Sequence, residues 1–190
     1  MARIGMRYPK YCIITVTENQ DGTESETYGT LKVMGKAISA TTNVSYTSSD
    51  LYADDGKAES VREFTGGTIS LNTDELENTV VADLSGATTD ENGGIEFDAD
   101  DTAPYIRMGY IRRRIKRGVT TFGAMVLMRV KFAPLNDEDN TKGESITFGT
   151  PTLTGDIFKN HQKKWRKYSQ WFETEAAAIT WLDANVKPVA

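Results

Sequence analysis

Apolar and polar residues alternate along much of this chain with the period of two that is typical of β-strands. In residues 121–132, "TFGAMVLMRVKF", every even position is apolar, and the last two odd positions are Arg129 and Lys131. This pattern predicts a long strand with one buried face and a half-exposed end. Similar patterns occur at residues 12–17, 29–35, 37–48, 66–72 and 144–158. The chain is therefore predicted to be mainly β, with an edge strand or a break at Pro151, which cannot donate to a strand ladder.

Two segments have helical periodicity instead. The first begins at Asn72 or Thr73 as the N-cap and ends at Gly86. The second begins at Thr174 and covers about 174–186. Capping residues at the start and a glycine or proline past the end favour both helices. Because both are short, we predict one flanking helix and one C-terminal helix that cover a sheet.

The length of 190 residues favours a single domain, residues 1–190. We divide it into an N-terminal arm with the first strands (1–35), a long loop (49–66) and a C-terminal extension (159–190). Further polar loops are predicted at 18–27, 85–103 and 133–144. Long structureless loops are uncommon in compact domains and usually bind something. We therefore expect these loops to make contacts between subunits.

A run of basic residues interrupts this acidic chain at "YIRRRIKRGV", residues 110–119. Its basic residues are Arg112, Arg113, Arg114, Lys116 and Arg117. The alternation predicts a strand whose hairpin turns at Arg117–Gly118, with an apolar face that changes side along the strand. Such a change requires a bulge, for which Gly109 is the candidate, or a second covering surface. The second interpretation points to another subunit.

Three interpretations of this basic run remain open. It keeps a hairpin end soluble and unpaired, it forms salt bridges between subunits, or it binds nucleic acid. An acidic segment, residues 83–101, contains seven Asp or Glu and no Lys or Arg, which favours the second interpretation. The candidate inter-subunit residues are the basic run together with Asp54, Asp55, Asp98, Asp100 and Asp101.

The composition gives little support to an enzyme. Cys12 is the only cysteine and His161 the only histidine, so a cysteine-based zinc site is excluded and no catalytic constellation is found. We expect no cofactor and no metal. The net charge of −5 argues against a general nucleic-acid-binding surface, and the absence of a long apolar run argues against a membrane span. The basic and aromatic segment 159–172 is interpreted as a loop in which Trp165 and Trp171 anchor the closing helix.

Several stretches, in order, carry a resemblance to a known family. They are "SDLYADDGKAES", "FTGGTISLNTDELENTVVADLSG", "DADDTAPYIRMGYIRRRIKRGV", "MRVKFAPLNDEDNTKGESITFGTPTLTGDIF" and "WFETEAAAITWLDANV". Together they cover most of residues 35–186. In these stretches the chain resembles the major tail tube proteins of long-tailed bacteriophages.

The resemblance implies a β-sandwich with a flanking helix, long inter-subunit loops and an N-terminal arm. It implies hexameric rings that stack into a non-contractile tail tube around the tape-measure protein, between the tail terminator and distal tail proteins. The tube is assembled in the host bacterial cytoplasm and later conducts DNA, which passes without specific binding. No enzyme activity is implied. Because phosphate contacts multiplied along a tube would retain DNA, we expect an acidic or neutral lumen, with residues 112–117 facing a neighbouring subunit.

Two alternatives stay open. The inner tube of a contractile tail or of a secretion-like apparatus would share the same fold. A monomeric β-sandwich that binds a ligand or carbohydrate would use Trp165, Tyr168 and Trp171 in a concave pocket.

Overall fold

The computed structural model describes residues 3–53, 56–135 and 150–188. The strands are Arg3–Glu18 (β1), Glu24–Tyr28 (β2), Lys32–Val33 (β3), Ala37–Ala53 (β4), Gly56–Thr73 (β5), Thr88–Thr89 (β6), Ile95–Glu96 (β7), Tyr105–Lys116 (β8), Val119–Phe132 (β9), Thr152–Phe158 (β10) and Arg166–Tyr168 (β11). The helices are Asn78–Ser85 (α1) and Glu175–Val186 (α2).

Nine of these strands form one antiparallel sheet within the described residues. Its order is β2-β1-β8-β9-β10-β5-β4, with β3 beside β1 and β11 beside β9. The prediction of a mainly β fold is confirmed. Within the described residues these nine strands form one continuous sheet, which curls until β4 contacts β1.

The first hydrophobic core lies inside this curl, under α1. It is formed by apolar residues of β1, β5, β8, β9, β10 and α1, including Tyr11, Ile69, Met108, Leu127 and Leu153. The hydroxyl of Tyr11 donates to Asp83 Oδ2 at 2.6 Å and ties β1 to α1. Burial of these side chains removes them from water, which is the main favourable contribution to folding.

Helix α1 begins later than the sequence predicts. Asn72 and Thr73 belong to β5, where they pair with β10 and β4, so neither caps the helix. The N-cap is Glu77, which makes no side-chain capping bond. The predicted end is confirmed: Gly86 is left-handed (φ 80°), and its N–H donates to Ala82 O.

A second core lies on the opposite face of the sheet, under α2. Ala178, Leu182 and Val186 of α2 pack on Ile111 of β8 and on the small side chains of β9. Strand β8 is therefore buried on both faces from position 106 to 112. The second covering surface expected for β8 does exist, but this chain supplies it, so the assignment of that surface to another subunit was wrong. Thr174 caps α2 as predicted, through a bond from Ala177 N.

Gly109 has a different role from the predicted bulge. A Cβ at this position would lie 2.5 Å from Met125 O and 2.8 Å from Leu182 Cδ1. Glycine thus lets β8 fit between β9 and α2. The register shift between β8 and β9 falls between Ile106 and Met108 instead.

The thiol of Cys12 is enclosed by the second core. Cys12 is 0% exposed, and its Sγ donates to Val186 O at 3.0 Å. Burial raises the pKa of this thiol to about 11, although the nearby charge of Arg107 lowers it in part.

The β8–β9 hairpin turns where the sequence predicts. Arg117 (φ 51°) and Gly118 (φ 80°) form a two-residue turn between the paired residues Lys116 and Val119. Two successive positive φ angles are the mark of a type I′ turn, whose twist matches that of the strands it joins.

The prediction of a loop at 49–66 is wrong, because the described residues of this range, 49–53 and 56–66, belong to the paired strands β4 and β5. The strands pair from Ala37–Thr73 out to Ala53–Gly56. Outer positions are exposed on both faces, so no alternation marks them as strands. Asp54 and Asp55 lie outside the described residues.

The N-terminal segment differs from the predicted arm, because β1 pairs with β2 and β8 and lies within the sheet. Residues 18–27 are largely the β1–β2 hairpin, and 85–103 contains the small β6–β7 hairpin. Most of the predicted loop at 133–144 lies outside the described residues.

Candidate subunit-contact surfaces

The basic run is divided among three environments. Arg112 and Arg114 share one face of β8 and lie over aromatic rings. The Arg112 guanidinium is 4.3 Å from the centroid of Tyr168, and that of Arg114 is 4.0 Å from Trp171. A guanidinium over an aromatic face is attracted by the ring quadrupole. These two arginines therefore pack on the C-terminal segment of their own chain.

The ring contacts continue along that segment. Arg166 lies 4.2 Å from Trp165 and 4.7 Å from Tyr168, and Phe64 stacks on Trp165 with a centroid separation of 4.6 Å. We call this series the cation–aromatic stack; its members are Phe64, Trp165, Arg166, Tyr168, Arg112, Trp171 and Arg114. It brings together two basic segments that sequence reasoning treated separately. The only sequence signal was their shared spacing of basic and aromatic residues.

The tryptophans of the stack are flanked by the protein's own side chains, which leave little ring surface for a sugar. Neither belongs to the core under α2, so the interpretation that they anchor the closing helix stays a prediction. Trp165 packs on the first core and is flanked by Phe64 and Arg166. Trp171 lies so close to Gly123 that a Cβ there would approach its ring to 3.0 Å. The open aromatic pocket expected of a carbohydrate module is thus occupied by the protein's own side chains.

The remaining basic residues of the run lie near or at the hairpin turn. Arg113 is half-buried on the other face of β8, in a small concavity that also includes Arg7 and Glu175. Lys116 and Arg117 are exposed at the turn, next to Val119, which is 60% exposed. We call Lys116, Arg117 and their surroundings the basic end of the sheet.

The candidate acids lie at the other end of β8. Asp98 and Asp100 are exposed and Asp101 is half-buried in the loop before this strand, where Asp98 N donates to Asp101 Oδ2 at 2.8 Å. The β1–β2 turn, with Glu18 and Asp21, extends from the same end, because Ile14 pairs with Tyr105. We call this the acidic end. The twelve residues of β8 separate it from the basic end, and their length is about 36 Å at roughly 3.3 Å per residue step.

The outer parts of β4 and β5, residues 46–53 and 56–64, form a projecting arm. Tyr46, Leu51 and Val61 are 54%, 60% and 50% exposed. Leu51 and Val61 share one face, because Leu51 pairs with Glu59 and Val61 pairs with Ser49. This arm therefore presents apolar side chains that its own chain does not cover.

A buried ion-pair network fastens β2 to β9. Arg129 Nη2 donates to Glu26 Oε1 at 2.6 Å and to Glu24 Oε2 at 2.9 Å. The Tyr28 hydroxyl donates to Glu26 at 2.8 Å, and His161 Nδ1 lies 3.6 Å from Glu26. Sequence reasoning missed this network, because Glu24 and Glu26 lie in a short, mostly exposed strand and Arg129 was expected at a half-exposed strand end, whereas it is only 8% exposed.

The described residues contain no cluster of His, Cys, Asp or Glu suited to a metal ion. In the same part of the chain, neither helix is long and apolar enough to cross a membrane.

Comparison with known proteins finds no family model that matches this chain and no curated protein sequence that matches it. The family suggested by the sequence therefore stays a prediction.

Proposed function

We propose that this chain is a structural virion protein whose copies form hexameric rings that stack into a non-contractile tail tube. The tube encloses the tape-measure protein and conducts the genome. The sequence resemblance supports this assignment, and three surfaces of the structure are consistent with it: the arm, the acidic end and the basic end.

The observation that carries the proposal is the arm. A two-stranded hairpin is marginally stable in water by itself, and three strands or a packed face are needed for independent stability. Beyond the base of the arm, both faces are exposed and one carries Leu51 and Val61. A neighbouring copy is the surface that such an arm needs, because each copy can give one arm and receive another.

The charge distribution supports stacking in one direction. The acidic end of one copy is complementary to the basic end of the next. A contact between two different surfaces is heterologous, and heterologous contacts close into rings or continue as filaments. Complementary charges at such a contact select the correct partner and register more than they add affinity.

The arm is tested by placing charge on its apolar face. The double variant Leu51→Lys/Val61→Lys should remain folded and monomeric, because lysines there oppose burial against a neighbour. Ser48→Lys/Ser60→Lys is the matched control, since it adds the same charge to the opposite face of the arm and should still assemble. Negative-stain imaging and sedimentation velocity of concentrated protein give the readout.

Two results would contradict the proposal. If the wild-type protein stays monomeric at all concentrations, the chain does not assemble and the proposal is wrong. If both double variants form tubes equally well, the arm is not part of the contact between subunits.

An inner tube of a contractile tail or of a secretion-like apparatus is the second candidate, because the arm and both charged ends serve it equally well. Imaging native particles separates the two candidates: a sheath around the tube identifies the contractile system.

A further inference from the structure

A pocket of about 370 Å³ lies between β2, β8, the segment before β11 and the end of α2. Its charged or titratable lining residues are Tyr28, Arg107, His161, Lys164, Arg166 and Lys167. Among the described residues, its lining includes no Asp or Glu. A concave site with this lining is an exception on a chain whose net charge is −5.

The four Lys and Arg side chains of the pocket have no carboxylate partner within the described part of the chain. Lys164 Nζ donates to Gln162 Oε1 at 3.1 Å, and Lys167 Nζ donates to Asn185 Oδ1 at 2.6 Å. Both acceptors are neutral amides. By contrast, the buried guanidinium of Arg129, which lies outside this pocket, is neutralised by two glutamates.

Arg107 gives the pocket a buried cationic wall. It is only 8% exposed, its Nη1 donates to the Tyr28 hydroxyl at 3.1 Å, and its Nε has no hydrogen-bond partner among the described residues. A buried charge is costly unless a counter-charge and hydrogen bonds compensate it. Arg107 also lies over the Tyr28 ring at 5.3 Å, but Glu26 reaches it only through the Tyr28 hydroxyl and is already bound by Arg129.

The loop that carries the lysines is held in place before any ligand arrives. Asn160 is buried, and its Oδ1 accepts from the backbone N–H groups of Gln162 and Lys164, at 3.1 and 2.8 Å. The backbone of Asn160 also donates to Lys164 O at 2.8 Å. Preorganisation of this kind lowers the entropy cost of binding.

We propose that this pocket binds a phosphate-bearing ligand. Guanidinium and ammonium groups are the donors that proteins use for phosphate, with arginine adding a planar, two-pronged contact. The volume exceeds the needs of one inorganic phosphate and suits a diphosphate or a phosphate with an attached group. The site is independent of the proposed tail tube function and nothing in that proposal requires it.

The test compares two double variants of the full chain at a dilution where sedimentation shows a single species. Lys164→Gln/Lys167→Gln removes two pocket cations. Lys159→Gln/Lys163→Gln removes the same charge from the same segment but outside the pocket. Pyrophosphate is titrated by calorimetry, and amide shifts of residues 160–167 and of Arg107 are followed by NMR.

Wild type and the control pair should bind pyrophosphate equally, while the pocket pair binds about tenfold more weakly. Arg107→Met should weaken pyrophosphate binding further. If this variant fails to fold, the comparison of the two lysine double variants still tests the proposal. Equal binding by both double variants, or no binding by wild type, overturns the proposal.

A second titration, with a single-stranded oligonucleotide, identifies the source of the phosphate. Tighter binding than pyrophosphate that is lost in the pocket pair assigns the site to a nucleic-acid backbone. Binding of pyrophosphate alone assigns it to a free phosphate compound. Either result supports the site. If instead both double variants still bind the oligonucleotide and pyrophosphate does not bind, the proposed site is rejected.

Discussion

Glu26 carries its negative charge with only 1% of its side chain exposed. Burial alone raises the pKa of this carboxyl, but hydrogen bonds from Arg129 and Tyr28 and the charge of Arg129 outweigh burial. The pKa therefore lies below its ordinary value of 4.5. Glu24 shares the same arginine but is 43% exposed, so water weakens its ion pair.

The two glutamates should therefore differ in their effect on stability. Glu26→Gln should lower the free energy of unfolding at neutral pH by about 3 kcal/mol, because Arg129 loses its buried partner. Glu24→Gln should lower it by only about 0.5 kcal/mol. Urea denaturation measures both.

The same pair of variants gives the pH dependence. Because the folded-state pKa of Glu26 is depressed, its stabilisation is fully present above the unfolded-state value and is lost as the pH falls through the folded-state value. Wild type should thus lose stability below about pH 4.5 more steeply than Glu26→Gln. Parallel pH profiles, or equal costs for the two variants at neutral pH, would show that Glu26 is not the carboxylate that matters.

At the scale of elements, the β8–β9 hairpin depends on its turn. Arg117 and Gly118 both have positive φ, a region in which residues with a Cβ are strained and glycine is not. Asparagine followed by glycine is the preferred pair for this turn type. The natural sequence therefore uses the favoured glycine but carries an arginine where asparagine fits better.

Substitutions at these two neighbouring positions should differ in their effect on stability. Gly118→Ala should destabilise by about 1 kcal/mol, because alanine is strained at φ 80°. Arg117→Asn should be neutral or slightly stabilising, as asparagine accepts the left-handed conformation. Thermal unfolding of both variants is the measurement, and a neutral Gly118→Ala would show that the turn relaxes to another type.

Strands with at least one buried face were predictable from the sequence, and the strands of the arm, which have none, were not. Strand β9 and its turn follow directly from alternation and a glycine. Strand β8 was predicted too, but what covers its second face was not, because the sequence does not show that α2 covers Ile111 while the first core covers Met108. The arm has no buried face, so its strands have the composition of a loop.

For the whole molecule, the sheet has opposite charges at its two ends. The basic run and the acidic loop were identified from the sequence, but their positions at opposite ends of β8 come from the pairing of strands. Sequence reasoning could not place Arg112 and Arg114 on Tyr168 and Trp171, because those contacts join segments that are far apart along the chain. Nor could it find Arg107, which alternation hides inside an apolar strand.

Stacking by these ends is testable with exchanged charges. Asp98→Lys/Asp100→Lys and Lys116→Glu/Arg117→Glu should each prevent growth, since each brings like charges together. A mixture of the two variants should grow again, because every contact in an alternating array then joins opposite charges. Growth of wild type should also weaken as ionic strength rises.

Light scattering and negative-stain imaging follow this growth. Arg112 and Arg114 are left intact because changing them would disturb the cation–aromatic stack. If the mixture fails while each variant remains folded, the ends of the sheet do not meet in the assembly.

Because Cys12 is enclosed under α2, the reactivity of its sulfur is a probe of local opening of this helix. A thiol reagent can reach that sulfur only after α2 separates from the sheet at its Val186 end. The rate of thiol modification therefore reports how often α2 detaches. Cys12 is the only cysteine of the sequence, so the measurement requires no substitution of other thiols. The modification rate distinguishes local detachment of α2 from global unfolding of the sheet. It can be measured for the free protein and for the assembled protein.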